Sequence, residues 1–342
     1  MRARWIAGTS LVLLVAASAW LALSGDRRAP AADAPPLGAP VLDPREEVAY
    51  VCPVHPDYTS GQPGRCPRDG MALVEANPYD PRDYRLEFLT DPPAVRAGEP
   101  ATFRFRVFHP GTGELVRDFV TVHDRRYHLF VISQDMEHFE HLHPLQDPDG
   151  SWHAEVTLPG EGYYKILSDF VPYGGSGQFL ARPLVTVGYA GDLGGDRAGL
   201  TADTEPDRTV GDLRATVTRD PETFVAGLYG HLEFRLAETG SGRPVTDLEP
   251  FLGSFGHLMI MSEDLRDYVH SHPIDLLASD DETGPLALMI PMDADRSTLS
   301  GGPEITFEGL MPRAGRYRAW AQFSRGGEVY TFPYTFEVEE SG

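Results

Sequence analysis

Tyr127–Pro144, YHLFVISQDMEHFEHLHP, and Gly256–Pro273, GHLMIMSEDLRDYVHSHP, align without a gap at a constant offset of 129 residues. Further along the chain the matching positions are 153 residues apart, and they pair Pro159 with Pro312, Gly162 with Gly315, Tyr164 with Tyr317 and Phe170 with Phe323. The chain therefore contains a tandem repeat. Its second copy carries an insertion of 24 residues, which we place within Ile274–Gly302.

Both copies have the pattern of β-strands. Ala101–Phe108, Ser151–Leu158 and Tyr330–Val338 alternate apolar with polar residues, as strands with one buried face do. The 35 glycines and 30 prolines among 342 residues suit short strands joined by turns. We predict a mainly β fold with two tandem immunoglobulin-like β-sandwich domains, at residues 84–189 and 208–340, joined by a linker at 190–207.

The N-terminus has the features of an export signal. Arg2 and Arg4 precede the uncharged run Trp5–Leu23, so residues 1–25 are predicted to be a signal peptide or a membrane anchor. Residues 26–47 are rich in proline and alanine and are predicted to be an extended linker. We expect a periplasmic or other extracytoplasmic protein that meets the membrane only through this segment.

The charge balance restricts the partners. Lys+Arg 29 against Asp+Glu 51 gives a net charge of −22, which opposes binding to phosphate backbones and excludes a nucleic-acid partner. An acidic surface instead favours meeting cations.

A short stretch near residue 50 contains two similar half-sites, Cys52-Pro-Val-His55-Pro and Cys66-Pro-Arg-Asp69-Gly, with Met71 directly after. In a metal knuckle, two ligands three residues apart are brought together by a tight turn, which the prolines and glycine favour. The candidate ligands at residues 48–77 are Cys52, His55, Cys66, Asp69 and Met71.

This stretch resembles the short heavy-metal-binding domain of bacterial metal-handling proteins, whose pattern is Tyr-x-Cys-Pro-Met-His-Pro, a Pro-Gly turn, then Cys-Pro-x-Cys-Gly-Met. The resemblance implies a soft-metal site and a setting near heavy-metal efflux pumps. Val54 and Asp69 depart from the pattern, and a carboxylate in place of a thiolate shifts the preference from Cu(I) or Ag(I) towards Zn(II). A disulfide between Cys52 and Cys66 is the alternative, since an oxidising compartment favours it.

The repeats supply two further sets of candidate ligands. Because side chains two apart on a strand share a face, each His-x-His pair can converge with the histidine of the preceding strand. The sets are His128, His141 and His143 in the first copy and His257, His270 and His272 in the second. Three imidazoles suit Cu(II) or Zn(II), and Met259 and Met261 could add thioethers for Cu(I), although core packing explains methionines equally well. The histidines could also be purely structural.

Five other histidines lack a repeat equivalent, and we expect surface or structural roles for His109, His123, His138, His153 and His231. The absence of cysteine from both repeats excludes a blue-copper centre, and no catalytic motif is recognisable. The sequence thus predicts a non-catalytic, exported protein that captures, buffers or transfers copper, silver or zinc, with Cu(I), Cu(II) or Zn(II) bound. The alternative is an adaptor of a metal efflux pump or another envelope complex. A metal enzyme with an open histidine site is a third hypothesis, without a visible acid–base partner.

Overall fold

A computed structural model describes residues 49–52, 58–60, 62–67, 70–76, 84–191, 193, 198–280, 284–287, 290 and 295–342. The predicted signal or anchor at 1–25 and the linker at 26–47 lie outside these residues. Within them, no helix has the length and apolarity that crossing a bilayer requires.

The first described element is a small antiparallel sheet. Its strands are β1 (Ala49–Val51), β2 (Thr59–Ser60) and β3 (Val74–Ala76), in the order β2-β1-β3. Cys52, Cys66 and Leu73 form its buried apolar cluster.

The first repeat is a sandwich of two sheets, ordered β4-β5-β10-β9 and β12-β11-β7-β8, with β6 paired to β11. The strands are β4 (Arg85–Asp91), β5 (Pro100–Phe108), β6 (Phe119–Val120), β7 (His128–Ser133), β8 (Phe139–Leu142), β9 (Leu145–Gln146), β10 (Trp152–Thr157), β11 (Tyr163–Pro172) and β12 (Gln178–Val185). Every second residue of β5 is buried, as its alternating sequence predicts.

The second repeat has the same plan, with sheets ordered β13-β14-β16-β21-β19-β20 and β15-β23-β22-β17-β18. Its strands are β13 (Asp207–Val210), β14 (Leu213–Asp220), β15 (Phe224–Val225), β16 (Tyr229–Glu238), β17 (His257–Ser262), β18 (Tyr268–Ser271), β19 (Pro273–Asp280), β20 (Gly284–Ala287), β21 (Glu304–Leu310), β22 (Gly315–Arg325) and β23 (Glu328–Glu339). Strands β19 and β20 and a 3₁₀-helix (Arg296–Thr298) occupy the stretch where the sequence predicts the insertion. The prediction of a mainly β fold of immunoglobulin-like sandwiches is confirmed.

The two repeats pack against each other through the equivalent strands β7 and β17. All six residues of each strand are buried. Leu129 and Val131 enter the first repeat's own core, whereas the alternate residues Phe130 and Ile132 join a separate apolar cluster with side chains of the second repeat. That inter-repeat cluster contains Phe130, Ile132, Met136, Leu167, Leu200, Met259, Met261, Leu265 and Trp320. Both faces of β7 and β17 are therefore covered, one by each repeat.

Candidate metal centre

Matching serine-centred turns aim the His-x-His pairs at the inter-repeat boundary. The Ser262 hydroxyl donates to Asp264 at 2.7 Å and accepts from the backbone N–H of Asp267 at 2.8 Å. In the first repeat the Ser133 hydroxyl accepts from the N–H of His138 at 2.9 Å. These short turns fix the register of the hairpins β7–β8 and β17–β18.

That register determines what faces each histidine. His141 lies opposite Phe130 on β7, and its imidazole stacks on the Phe130 ring with centroids 4.3 Å apart. His270 lies opposite Met259 on β17. Strands β7 and β17 each have a second neighbouring strand, β11 and β22. In the register of these strand pairs, His128 lies opposite Asp169 and His257 lies opposite Gln322.

The first predicted set of histidines comes together. One ring nitrogen from each of His128, His141 and His143 can be chosen so that all three lie within 4.8 Å of one another. His128 Nδ1 and His141 Nε2 are 3.1 Å apart. Two nitrogens on one tetrahedral ion at the usual bond length of 2.0–2.1 Å are about 3.3 Å apart, so this spacing fits a shared metal.

The outward-facing nitrogens of that pair carry the protons. His128 Nε2 lies 3.0 Å from the carbonyl oxygen of Val122, which can only accept, so Nε2 is the donor. His141 Nδ1 lies 3.0 Å from Gln322 Oε1, and Gln322 Nε2 donates to Thr331. In neutral rings, the two nitrogens that face each other are therefore both lone-pair acceptors. Two lone pairs at this distance repel each other, and a cation bound between them removes that repulsion.

Only two histidines of the second predicted set, His257 and His272, belong to the group of converging nitrogens. The nitrogens that converge within 4.8 Å belong to His257, His272 and His123, with His123 standing where the sequence predicts His270. His270 is nevertheless adjacent, since its ring centroid is 4.7 Å from that of His272 and 5.9 Å from that of His257. The second set thus draws its third member from the first repeat.

Each repeat orients one histidine of the other. His270 Nδ1 lies 2.8 Å from the Asp169 carboxylate, and His141 Nδ1 lies 3.0 Å from Gln322. Asp169 and Gln322 are equivalent positions of the two repeats, 153 residues apart. A carboxylate that accepts from one ring nitrogen fixes the tautomer and leaves the other nitrogen as a metal ligand.

Burial keeps these imidazoles neutral. Desolvation lowers the pKa of His128 to about 4 and that of His143 to about 3. It also lowers the pKa of His141, His257 and His272 well below the usual value, and the neighbouring histidines reinforce each shift. Since only the neutral ring binds a metal, these five rings can accept a cation at pH 7 without losing protons.

The cysteine module places its two described candidate thiols in one small cluster. Cys52 and Cys66 are 0% and 1% exposed, and Met71 packs against them. The N–H of Cys66 donates to the carbonyl oxygen of Met71, and the N–H of Gly70 donates to that of Cys66, both at 2.8 Å, so the chain turns tightly after Cys66. His55 and Asp69 lie outside the described residues.

His123 is the residue that the sequence analysis missed. It was expected to have a surface or structural role, yet it is 6% exposed and its ring centroid lies 3.5 Å from that of His272. Its position in the repeat is taken by Leu252 in the second copy, so duplication gave no signal for it. Met259 and Met261 belong to the inter-repeat apolar cluster, which matches their core-packing interpretation.

The remaining histidines have local partners of their own. His153 Nδ1 lies 3.0 Å from Asp147, and His231 Nε2 lies 3.2 Å from Glu308. His138 lies 3.5 Å from Glu140, and His109 Nδ1 accepts from the N–H of Gly111 at 3.1 Å. These contacts fit the structural roles predicted for them.

A family model described as a domain of unknown function, DUF8832, matches residues 80–185 and again residues 208–340. The chain belongs to the DUF8832 family. A second model, the heavy metal binding domain, matches residues 49–76, which contain Cys52 and Cys66. The resemblance predicted for this stretch is thus shown at the level of the domain.

No curated protein matches this chain. Solved structures that resemble it include the Escherichia coli adhesin FdeC (14% identity, TM-score 0.22, 80% of this chain and 68% of that one). Others are the bacterial integrin-binding protein invasin (12%, 0.20, 75% and 39%) and a two-domain fibronectin type III segment of chicken tenascin (11%, 0.20, 75% and 99%). At these scores the similarity carries no argument about function.

Proposed function

We propose that this member of DUF8832 is an exported protein that binds heavy-metal ions and captures, buffers or transfers copper, silver or zinc. Metal binding is supported by the heavy metal binding domain at residues 49–76. The single observation that carries the role of the repeats is the 3.1 Å approach of two lone-pair nitrogens, His128 Nδ1 and His141 Nε2. A nitrogen of His143 lies within 4.8 Å of this pair and would be the third ligand.

The two parts of the chain offer different chemistry. The cysteine module presents thiols, which prefer Cu(I), Ag(I) or Zn(II), and Asp69 would shift this site towards Zn(II). The histidines between the two repeats present imidazoles, which suit Cu(II) or Zn(II). A chain that carries both kinds of site fits capture and exchange of ions by ligand replacement, and it needs no catalytic step.

The net charge of −22 supports this proposal, because an acidic surface raises the local concentration of cations near the sites. The proposal of export is supported by Arg2, Arg4 and the apolar run after them. A metal efflux pump or another envelope protein would then be the donor or acceptor of the ion.

The test is metal stoichiometry of the reduced full chain, measured by elemental analysis after Cu(I), Cu(II) or Zn(II) is added and excess removed. Cys52→Ser with Cys66→Ser should remove the ion of the module, whereas His141→Ala should remove an ion from the repeats. His153→Ala, which changes a histidine outside the cluster, should remove none. If neither the double variant nor His141→Ala loses metal, the protein is not a metal carrier, and the adaptor hypothesis with structural histidines replaces this one.

A further inference from the structure

We propose that the boundary between the repeats holds two metal ions side by side, the second on a composite site made by His123 of the first repeat with His257 and His272 of the second. This inference rests on the proposed function, because it requires the imidazoles between the repeats to bind metal. It adds a ligand, His123, and a second ion.

His257 and His272 are buried in a way that calls for a ligand. His257 is 2% exposed, and among the described residues neither of its ring nitrogens has a hydrogen-bond partner. His272 is 8% exposed, and its Nε2 likewise has none within the described part of the chain. A buried polar atom left unsatisfied costs about 1–3 kcal/mol, and this site has three. A shared ion would satisfy two of them, one ring nitrogen of His257 and Nε2 of His272, because an imidazole binds an ion through one of its two nitrogens.

The loop that carries His123 has an unusual backbone conformation and is tied to the second repeat by an ion pair. His123 and Asp124 have φ values of 49° and 64°, in the left-handed region that residues other than glycine rarely adopt. Arg296, from the insertion of the second repeat, forms an ion pair with the Asp124 carboxylate. The insertion therefore clamps the His123 loop against the second repeat, which explains why only one of the two sites is composite.

The two sites are neighbours. The His123 ring centroid is 6.0 Å from that of His128, and the His141 centroid is 5.9 Å from that of His257. His270 stands between them, with its centroid 5.7 Å from His128 and 6.1 Å from His123. Its Nε2 is buried without a hydrogen-bond partner among the described residues, while Nδ1 bonds to Asp169. His270 can thus serve either ion.

The ligand set defines the class of ion. All the candidate ligands are imidazoles, and Asp169 supplies a carboxylate that contacts His270, so the pair suits borderline divalent ions such as Cu(II) or Zn(II). Two divalent ions this close repel each other in a buried site. The second ion should therefore bind more weakly than the first.

The experiment uses the full chain with Cys52→Ser and Cys66→Ser, so that only the repeats bind metal. Titration with Cu(II) should give two ions per chain, the second at least tenfold weaker, and electron paramagnetic resonance should show spin coupling between them. His123→Leu, which installs the residue found at the equivalent position 252, should leave one ion without coupling. His153→Ala should keep two.

His272→Gln provides a second variant should His123→Leu fail to fold, and it too should leave one uncoupled ion. One ion per chain, unchanged by His123→Leu and His272→Gln, would overturn the paired site while leaving the proposed function intact. Two ions without spin coupling would place them apart and would also overturn it. If no ion binds to the repeats at all, the imidazole part of the proposed function fails as well.

Discussion

At the scale of single residues, the centre depends on which nitrogen of each imidazole carries the proton. The carbonyl oxygen of Val122 and the amide oxygen of Gln322 accept hydrogen bonds from His128 and His141, and the Asp169 carboxylate accepts one from His270, so the other ring nitrogens face inward. These partners lie on loops and strands far from the His-x-His pairs in sequence. They are as much a part of the site as the ligands themselves.

Asp169→Asn should weaken metal binding without removing a ligand. The amide has the size of the carboxylate but lacks its charge, so it holds the His270 ring less firmly in orientation. We expect affinity for Cu(II) in the repeats to fall by about 10–100-fold. The control is Asp220→Asn, at a carboxylate that is 85% exposed, and competition titration measures both. Equal affinities for the two variants would contradict a role for Asp169.

The metal-stripped protein should lose stability as the pH falls. The unfolded chain protonates its histidines near pH 6.5, whereas His128 and His143 in the folded protein have pKa values of about 4 and about 3. Between these values the unfolded state binds more protons, so the free energy of unfolding decreases from about pH 6.5 down to about pH 3. Urea unfolding across this range measures the slope. His143→Gln should make the slope shallower, and an unchanged slope would contradict the assigned burial.

At the scale of elements, the hairpins β7–β8 and β17–β18 position the ligands. In each, the turn serine receives backbone N–H groups of the turn, and Met136 or Leu265 takes a positive φ of 61° or 58°. These turns are local structures, and the Ser-x-Asp sequence that both repeats share favours them. Because the strands have a period of two, the turn also decides which face the histidines occupy.

Ser262→Ala should destabilise the protein measurably. Ser262 is 5% exposed, and its hydroxyl accepts from the N–H groups of Arg266 and Asp267 at 3.1 and 2.8 Å. Removal of the hydroxyl takes this hydrogen-bond acceptor away from both N–H groups. We expect a loss of about 1–3 kcal/mol in the free energy of unfolding. Ser241→Ala, at an exposed serine in another turn of the same repeat, should cost less than about 0.5 kcal/mol. Similar urea midpoints for both variants would argue against this account of the turn.

At the scale of the whole molecule, the histidine cluster forms because two copies of one sandwich dock through the same strands. The inter-repeat apolar cluster lies on the same strand faces as the histidines. The contacts that dock the repeats therefore also bring the histidines together. Trp320 of the second repeat stacks on Phe139 of the first, with centroids 4.7 Å apart and planes 9° apart. An ion bound across this boundary would stabilise the docked form by mass action.

Trp320→Ala should therefore reduce both stability and metal binding. Trp320 is 3% exposed, and its removal should cost about 3–5 kcal/mol in the free energy of unfolding. Phe224→Ala, in the core of the second repeat, should cost a similar amount but leave the Cu(II) stoichiometry of the folded protein unchanged. Calorimetry measures the loss of stability, and elemental analysis at low temperature measures the loss of metal. Full metal occupancy in Trp320→Ala would show that the centre does not depend on docking.

The local features of this protein could be predicted from its residue patterns. The alternation in stretches such as Ala101–Phe108 predicted strands, and the gapless offset predicted two copies of one fold. The spacing of His141 and His143 predicted that both share a face, because that follows from strand geometry alone. The cysteine spacing near residue 50 predicted the heavy metal binding domain.

How the two sets of histidines are grouped depends instead on the way the repeats dock. His123 has no histidine counterpart in the second repeat, and Asp169 and Gln322 act on histidines more than 100 residues away. These relations arise from the face on which β7 meets β17, and from the Arg296–Asp124 ion pair that the insertion supplies. Such docking depends on many weak contacts between distant residues, and no periodicity along the chain records it.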